Sequence, residues 1–236
     1  MSFGARALIR LDALSHNLAN IRAGLPGACV MAVVKANAYG HGLDDVAREL
    51  RDVNAFGVAR LTEAHAIRGA GVDTPVVLLS GAQSAVELDD CTRHGFEVVI
   101  HSPGQLAFLD SHRGEPIVCW LKVDTGMTRL GFSPDEAPGV IHRLQDHPAV
   151  AKLRLMTHFA RADDLTHSFT AEQIDRFSAV TRGFQGDVSF ANSPGMLGWE
   201  YCADARDRLG FSGDLWIRPG LALYGISPFE GRTAAD

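Results

Sequence analysis

Five short stretches of this 236-residue chain hold residues whose types and spacing could do chemistry. Lys35 closes the apolar run Ala32-Val33-Val34, and Asn37, Tyr39, Gly40, His41 and Gly42 follow at once. Burial destabilises an ammonium, which is one way to prepare a lysine amine for nucleophilic or Schiff-base chemistry. A strand-end lysine that snorkels beside a glycine turn is the plainer alternative. Lys122 and Asp124 stand on one face of a strand end, with Arg129 beyond Gly126; an ion pair plus a solvated arginine would explain them as well. His158 sits in Thr157-His158-Phe159 and could be a satisfied core histidine. Asn192-Ser193-Pro194 reads as a helix start, where a cap hydroxyl and free N–H groups bind anions or merely cap the helix. Arg218-Pro219-Gly220-Leu221 joins an arginine to a turn, and a surface ion pair would use Arg218 equally well.

The composition sets limits on what these residues serve. Hydrophobic residues make up 46% and charged residues 21%, values of an ordinary globular protein. The net charge of -6, without a local Lys/Arg cluster, argues against a nucleic-acid partner. No run approaches the ~20 apolar residues of a membrane span, and the N-terminus, with Arg6 and Arg10, lacks a signal-peptide layout, so a cytoplasmic protein is expected. Cys29, Cys91, Cys119 and Cys202 form no CxxC pair, and the 10 histidines show no HxxxH or HExxH spacing. The motifs therefore indicate no metal.

The elements that must position these residues alternate. Ala7 to Leu11 has strand character, and Asp12 can cap a helix carrying Leu14, Leu18, Ile21 and Leu25. Eight further strand signals follow: Cys29 to Val34, Ala55 to Ala59, Val76 to Leu79, Phe96 to Ile100, Ile117 to Val123, Leu153 to Phe159, Val188 to Ala191 and Leu215 to Ile217. Helix starts lie between them at Thr62, Ser84 with Glu87, Ser102-Pro103, Ser133 with Glu136 and Thr170 with Gln173. Pro138 implies that the helix after Ser133 begins late. Glu200 to Gly213 is polar and resists assignment. The strands are apolar on both faces, as in parallel sheets, and eight of them at this length predict an α/β fold, a (β/α)8 TIM-type barrel. A doubly wound sheet competes, but no GxGxxG follows the first strand. In a barrel all five stretches fall at the carboxyl ends of strands, where such folds carry their chemistry.

Val34-Lys35-Ala36-Asn37-Ala38-Tyr39-Gly40-His41-Gly42 resembles the cofactor-lysine motif of alanine racemases, enzymes dependent on pyridoxal 5'-phosphate (PLP). The stretches Lys122 to Gly131, His158, Asn192-Ser193 and Ile217 to Gly225 are similar to further motifs of the same family, in the same order. The resemblance implies that Lys35 forms the internal aldimine and serves as one catalytic base. It implies that Tyr39, Asn192, Ser193 and the backbone N–H groups of Gly220 and Leu221 hold the cofactor phosphate side. It places Arg218 at the pyridine nitrogen, with His158 beside it. It assigns Arg129 to the phenolic oxygen and the substrate, with Lys122, often carbamylated in the family, fixing it.

An arginine at the ring nitrogen weakens the electron sink and favours proton return over transamination. Pro194 departs from the family's usual alanine. The family continues into a β-rich domain that gives a catalytic tyrosine to its partner in a homodimer. Residues 1–236 are therefore expected to be a PLP-binding barrel, with 1–11 a strand that pairs with that absent domain. The expected reaction is interconversion of L- and D-alanine, weak in this stretch alone for want of a second base. A stand-alone PLP-homeostasis protein, or a D-amino-acid aldolase or dehydratase on the same barrel, is the alternative.

Overall fold

The computed structural model describes residues 4 and 6–233. Its elements run α1 (Leu11–Gly24), β1 (Cys29–Val33), α2 (Lys35–Tyr39), α3 (Leu43–Glu49), β2 (Ala55–Val58), α4 (Leu61–Gly69), β3 (Val76–Leu78), α5 (Ala85–Arg93), β4 (Glu97–Ile100) and α6 (Pro103–Ser111). They continue with β5 (Ile117–Lys122), α7 (Ala137–Gln145), β6 (Val150–Met156), α8 (Phe169–Thr181), β7 (Val188–Asn192), α9 (Ser193–Leu197), α10 (Ala205–Leu209) and β8 (Leu215–Arg218). Short 3-10 turns occupy Glu200–Cys202 and Leu221–Tyr224. The eight strands are parallel, pair in chain order and close between β1 and β8, which is the expected (β/α)8 barrel.

Strand alternation divides the core into two layers. Met31, Ala55, Val77, Val99, Trp120, Met156 and Trp216 fill the barrel interior. Their strand neighbours, among them Val30, Ala32, Phe56 and Val98, face the helices. At Gly57 a Cβ would lie 3.3 Å from both Met31 Sδ and Leu79 Cδ1, so the missing side chain makes room for these two.

The amino-terminal end of the barrel is closed by charge. Arg154 lies 5.0 Å from the Trp120 ring and 4.8 Å from the Trp216 ring, pairing with Glu97 at 2.6 Å and Asp187 at 2.8 Å. Burial pushes the Asp187 carboxyl up, but hydrogen bonds from Lys152, the Asp214 N–H and Arg154 leave it below the usual carboxylate range.

Three sequence expectations change. Residues 6–10 carry no regular structure, Leu8 is exposed, and Leu11 already opens α1, so Ala7 to Leu11 is not a strand. Positions 1–3 and 5 of the 1–11 segment lie outside the described residues. Asp12 sits in the first turn of α1 rather than capping it. β6 starts at Val150 instead of Leu153, because Val150 and Lys152 pair with β5 and Lys152 finds Asp187 at 2.6 Å. It ends at Met156, leaving His158 on the loop that follows. The helix after Ser133 does begin late, at Ala137, as Pro138 required. Ser84 and Glu87 cap α5 as expected, with the Glu87 N–H on Ser84 Oγ at 3.2 Å.

Candidate active site

At the carboxyl ends of the strands lies a cleft of about 340 Å³. Lys35, Tyr39, Lys122, Arg129, His158, Asn192, Ser193, Arg218, Gly220 and Leu221 all line it, so every site residue expected from sequence converges there. Four of these are cationic types, and no carboxylate is among the lining residues. In a chain of net charge -6 this is a concentrated anion-attracting site.

Lys35 leaves the barrel on an unusual turn. Ala36, Asn37, Ala38 and Tyr39 all have φ between 53° and 55°, a left-handed run of four non-glycine residues. Glycine was expected to make this turn, but Gly40 only ends it. A left-handed conformation costs an L-residue roughly 1–2 kcal/mol, so outside partners must hold the run. Glu63 is one: its Oε1 accepts from the Ala36 N–H at 2.6 Å, while Oε2 accepts from Ala59 at 2.9 Å and Arg60 at 3.1 Å. From within the run, Asn37 takes the Leu43 N–H on Oδ1 at 2.9 Å and ties the turn to α3. Tyr39 lines the cleft and packs against Tyr224, with ring centroids 4.9 Å apart and planes tilted by 36°. Its hydroxyl lies 2.7 Å from where a Cβ on Gly220 would be, so this position has no space for one.

Arg218 is buried beneath the cleft. It donates to Ser189 Oγ, to the Thr157 carbonyl at 2.5 Å and to the Phe190 carbonyl at 3.5 Å, and faces His158 Nδ1 at 3.4 Å. No carboxylate pairs with it among the described residues, which removes the ion-pair explanation. Burial lowers its guanidinium to about 10. Burial, then Arg218, Lys122, Arg129 and Lys35, hold His158 well below the ordinary histidine value. His158 is thus neutral, and an Nδ1 that accepts from Arg218 leaves the ring proton on Nε2.

Lys122 is also buried and is lowered to about 8 by burial, then Arg218 and Arg129, against the pull of Asp124. The two form no ion pair. Asp124 Oδ1 instead accepts from the Gly126 and Thr128 N–H groups, both at 3.0 Å, shaping the loop that carries exposed Arg129.

On the opposite wall, Ser193 Oγ accepts from the Gly220 N–H at 3.0 Å and the Ala222 N–H at 3.2 Å, linking the loops after β7 and β8. Asn192 caps the next turn through the Gly195 N–H at 3.1 Å. That turn, α9, has five residues, so anion attraction here rests on individual hydroxyl and N–H groups rather than on a helix dipole.

Gln173 was expected to cap α8. It is fully buried instead, accepting from the Ala160 N–H at 2.9 Å and donating to Thr125 Oγ1 at 3.1 Å and the His158 carbonyl at 3.2 Å. It ties the loops after β5 and β6 together behind the cleft. Neither Glu63 nor Gln173 was marked as a site residue by sequence. Gln173 stands three residues after Thr170, a helix-start signal; Glu63 directly follows Thr62 and carries no signal of its own.

Residues 9–228 match the family model described as alanine racemase, N-terminal domain. An alanine racemase of Vibrio parahaemolyticus is 44% identical over 98% of this chain and 63% of its own length. Among solved structures, the biosynthetic alanine racemase of Pseudomonas aeruginosa superposes with a TM-score of 0.86 at 35% identity, over 96% of this chain and 61% of its own. The alanine racemase of Bartonella henselae, solved with covalently bound pyridoxal phosphate, gives 0.78 at 26% identity, over 96% and 65%. The chain thus spans a little over three fifths of these relatives' length. With a family match across nearly all of its sequence and a barrel that superposes on solved members, this chain belongs to the alanine racemase N-terminal domain family.

Proposed function

We propose that the cleft binds pyridoxal 5'-phosphate through Lys35 and serves the racemisation of a small amino acid, alanine. The observation that carries this is Arg218, buried without a carboxylate beside neutral His158 and facing the same cleft as Lys35. Such an arginine suits a ring nitrogen that accepts a hydrogen bond. The residues present fit the cofactor: Gly220 leaves open the space beside the Tyr39 hydroxyl that a Cβ would fill, and the cation-rich lining matches a phosphate.

When bound, the cofactor would withdraw electrons from the amino acid's Cα so that its proton can leave. The rest falls to this chain. Lys35 would hold the cofactor and would take and return the Cα proton on one face. Arg218 would face the ring nitrogen and, having no proton to surrender at neutral pH, would keep it largely unprotonated, with His158 steadying Arg218. Tyr39, Asn192, Ser193, Gly220 and Leu221 would hold the phosphate side, and Arg129 would serve the phenolic oxygen and the substrate carboxylate.

Lys122, lowered to about 8, offers a neutral amine fraction to carbon dioxide. The resulting carbamate would replace a buried cation by an anion beside Arg129. Racemisation also needs an acid or base on the opposite face of Cα, which we assign to a group supplied across a homodimer. This reading includes a cytoplasmic location. Among the described residues no helix is long and apolar enough to cross a membrane.

The test is the absorption spectrum of the purified 236-residue chain with PLP, beside Lys35→Ala. A visible band and a borohydride-trapped adduct in the first and neither in the second are expected. Equal spectra in both would overturn the assignment of Lys35.

A further inference from the structure

Outside the barrel, away from the cleft, three ligand-type side chains meet between α4 and α5. His65 on α4 has Nε2 2.6 Å from Asp90 Oδ2, and His94, one turn after Asp90, has Nδ1 3.3 Å from Asp90 Oδ1. One donor atom from each of the three lies within 4.8 Å of the others. The two imidazoles meet edge to face at 4.6 Å and both rest on Phe96, at 5.4 and 5.7 Å. Arg68 stands over the same ring at 5.2 Å. Packing therefore restrains both rings, while His94 remains open to water.

We propose that His65, Asp90 and His94 bind a borderline divalent transition-metal ion of the zinc type. Two imidazoles and one carboxylate suit such an ion better than magnesium or calcium, which prefer oxygen ligands. Partial exposure lets water complete the coordination. The site has competitors that ligation must displace. Arg93 Nη2 lies 3.0 Å from Asp90 Oδ1, but its side chain is 69% exposed, where such pairs contribute little. His65 Nε2 now shares a proton with Asp90, and His94 Nδ1 also faces the Asp90 carbonyl at 3.0 Å. Ligation replaces these hydrogen bonds, and each imidazole can carry its N–H on the ring nitrogen that does not bind the ion.

Sequence spacing concealed the set, since His65 comes from a different helix than Asp90 and His94. The bound ion would fasten to α5 the same helix whose Glu63 holds the turn behind Lys35.

The full chain, stripped with chelator, is titrated with Co2+ followed by its visible bands, and with Zn2+ by calorimetry. One equivalent bound is expected. His65→Ala and His94→Ala should each weaken binding more than about tenfold, the loss that even changes to outer-shell partners cause. Arg93→Ala, which leaves all three ligands in place and removes the competing cation, should bind as tightly as wild type or more so. Failure to bind, or affinity unchanged in the two histidine variants, would overturn the site. If either histidine variant fails to fold, Arg93→Ala decides, and weakened binding there would count against the site.

Discussion

Replacing Lys122 by Met should stabilise the cofactor-free chain at neutral pH, although it removes a charged residue from the centre of the site. Lys122 is 8% exposed and lowered from 10.5 to about 8, by burial first and then by Arg218 and Arg129. At about 1.4 kcal/mol per pKa unit, that difference costs the folded, protonated state roughly 3 kcal/mol. The sign follows from linkage. A base held low in the fold binds fewer protons there than in the unfolded chain between about 8 and 10.5, so stability rises with pH across that interval. Below it, both states are protonated and the fold bears the full cost. Methionine has similar length and carries no proton in either state. Lys122→Met should therefore gain about 2 kcal/mol at pH 7, after some relaxation around the lysine, and the gain should fade toward alkaline pH. Urea unfolding in carbon dioxide-free buffer, with both proteins followed through the alkaline range, measures this difference. No gain at neutral pH, or a gain independent of pH, would refute the reasoning. Added bicarbonate should narrow the gap by stabilising wild type alone, because only the lysine can take up carbon dioxide.

Two further perturbations probe how the cleft is held. Glu63→Ala removes the acceptor of three backbone N–H groups, one of them the Ala36 amide next to Lys35. Charge-assisted bonds contribute about 1.5–3 kcal/mol each when shielded. Water can reach these, so a loss of about 2 kcal/mol in urea unfolding is expected, with slower cofactor capture by Lys35 and partial rescue in Glu63→Gln; wild-type stability and capture rate in Glu63→Ala would count against that role. Gly220→Ala drives a Cβ to 2.7 Å from the Tyr39 hydroxyl, whose ring is backed by Tyr224. Overpacking of this kind costs about 1–3 kcal/mol. Weakened PLP binding is expected, and Tyr39→Phe in the same chain should recover the lost stability; an additive double variant would show that the two groups do not meet.

The barrel was legible because most strands are buried on both faces and read as apolar runs bounded by glycine or a helix start; β6, with exposed Ala151 and Lys152, was read short at its start. The site residues were legible by type and by position after those runs. Their supports were not. Gln173 looks in sequence like an ordinary third residue of a helix start and Glu63 like any helix-surface acid, and only the return of each helix beside a neighbouring loop gives their side chains an amide to hold. The left-handed run Ala36–Tyr39 was invisible because local preference points to Gly40 and Gly42, whereas the Glu63 contact comes from a distant helix and the Asn37 bond to Leu43 exists only once the turn has formed. Ala7 to Leu11 shows the reverse error. Alternation alone suggested a strand, but a strand needs a ladder partner, and residues 6–10 have none among the described residues.

Arg154 and Arg218 show which end of the barrel carries the chemistry without reference to any motif. Both are largely buried arginines on barrel strands, one near the amino-terminal mouth and one at the carboxyl end. Arg154 is neutralised by Glu97 and Asp187 and sandwiched by Trp120 and Trp216, so its charge is satisfied within the fold. Arg218 has only neutral acceptors, and it joins Arg129 and Lys35 in pressing on Lys122 with charge of the same sign. Burying a cation that way is costly unless a partner arrives from outside the chain. The amino-terminal end is therefore electrostatically complete, while the carboxyl end is arranged for an acceptor the protein does not contain. That asymmetry predicts that Arg218→Leu will leave the cofactor-free chain as stable as wild type or more so while weakening PLP binding, and urea unfolding with and without PLP separates the two effects. A large loss of stability without PLP would mean that Arg218 is held for the fold.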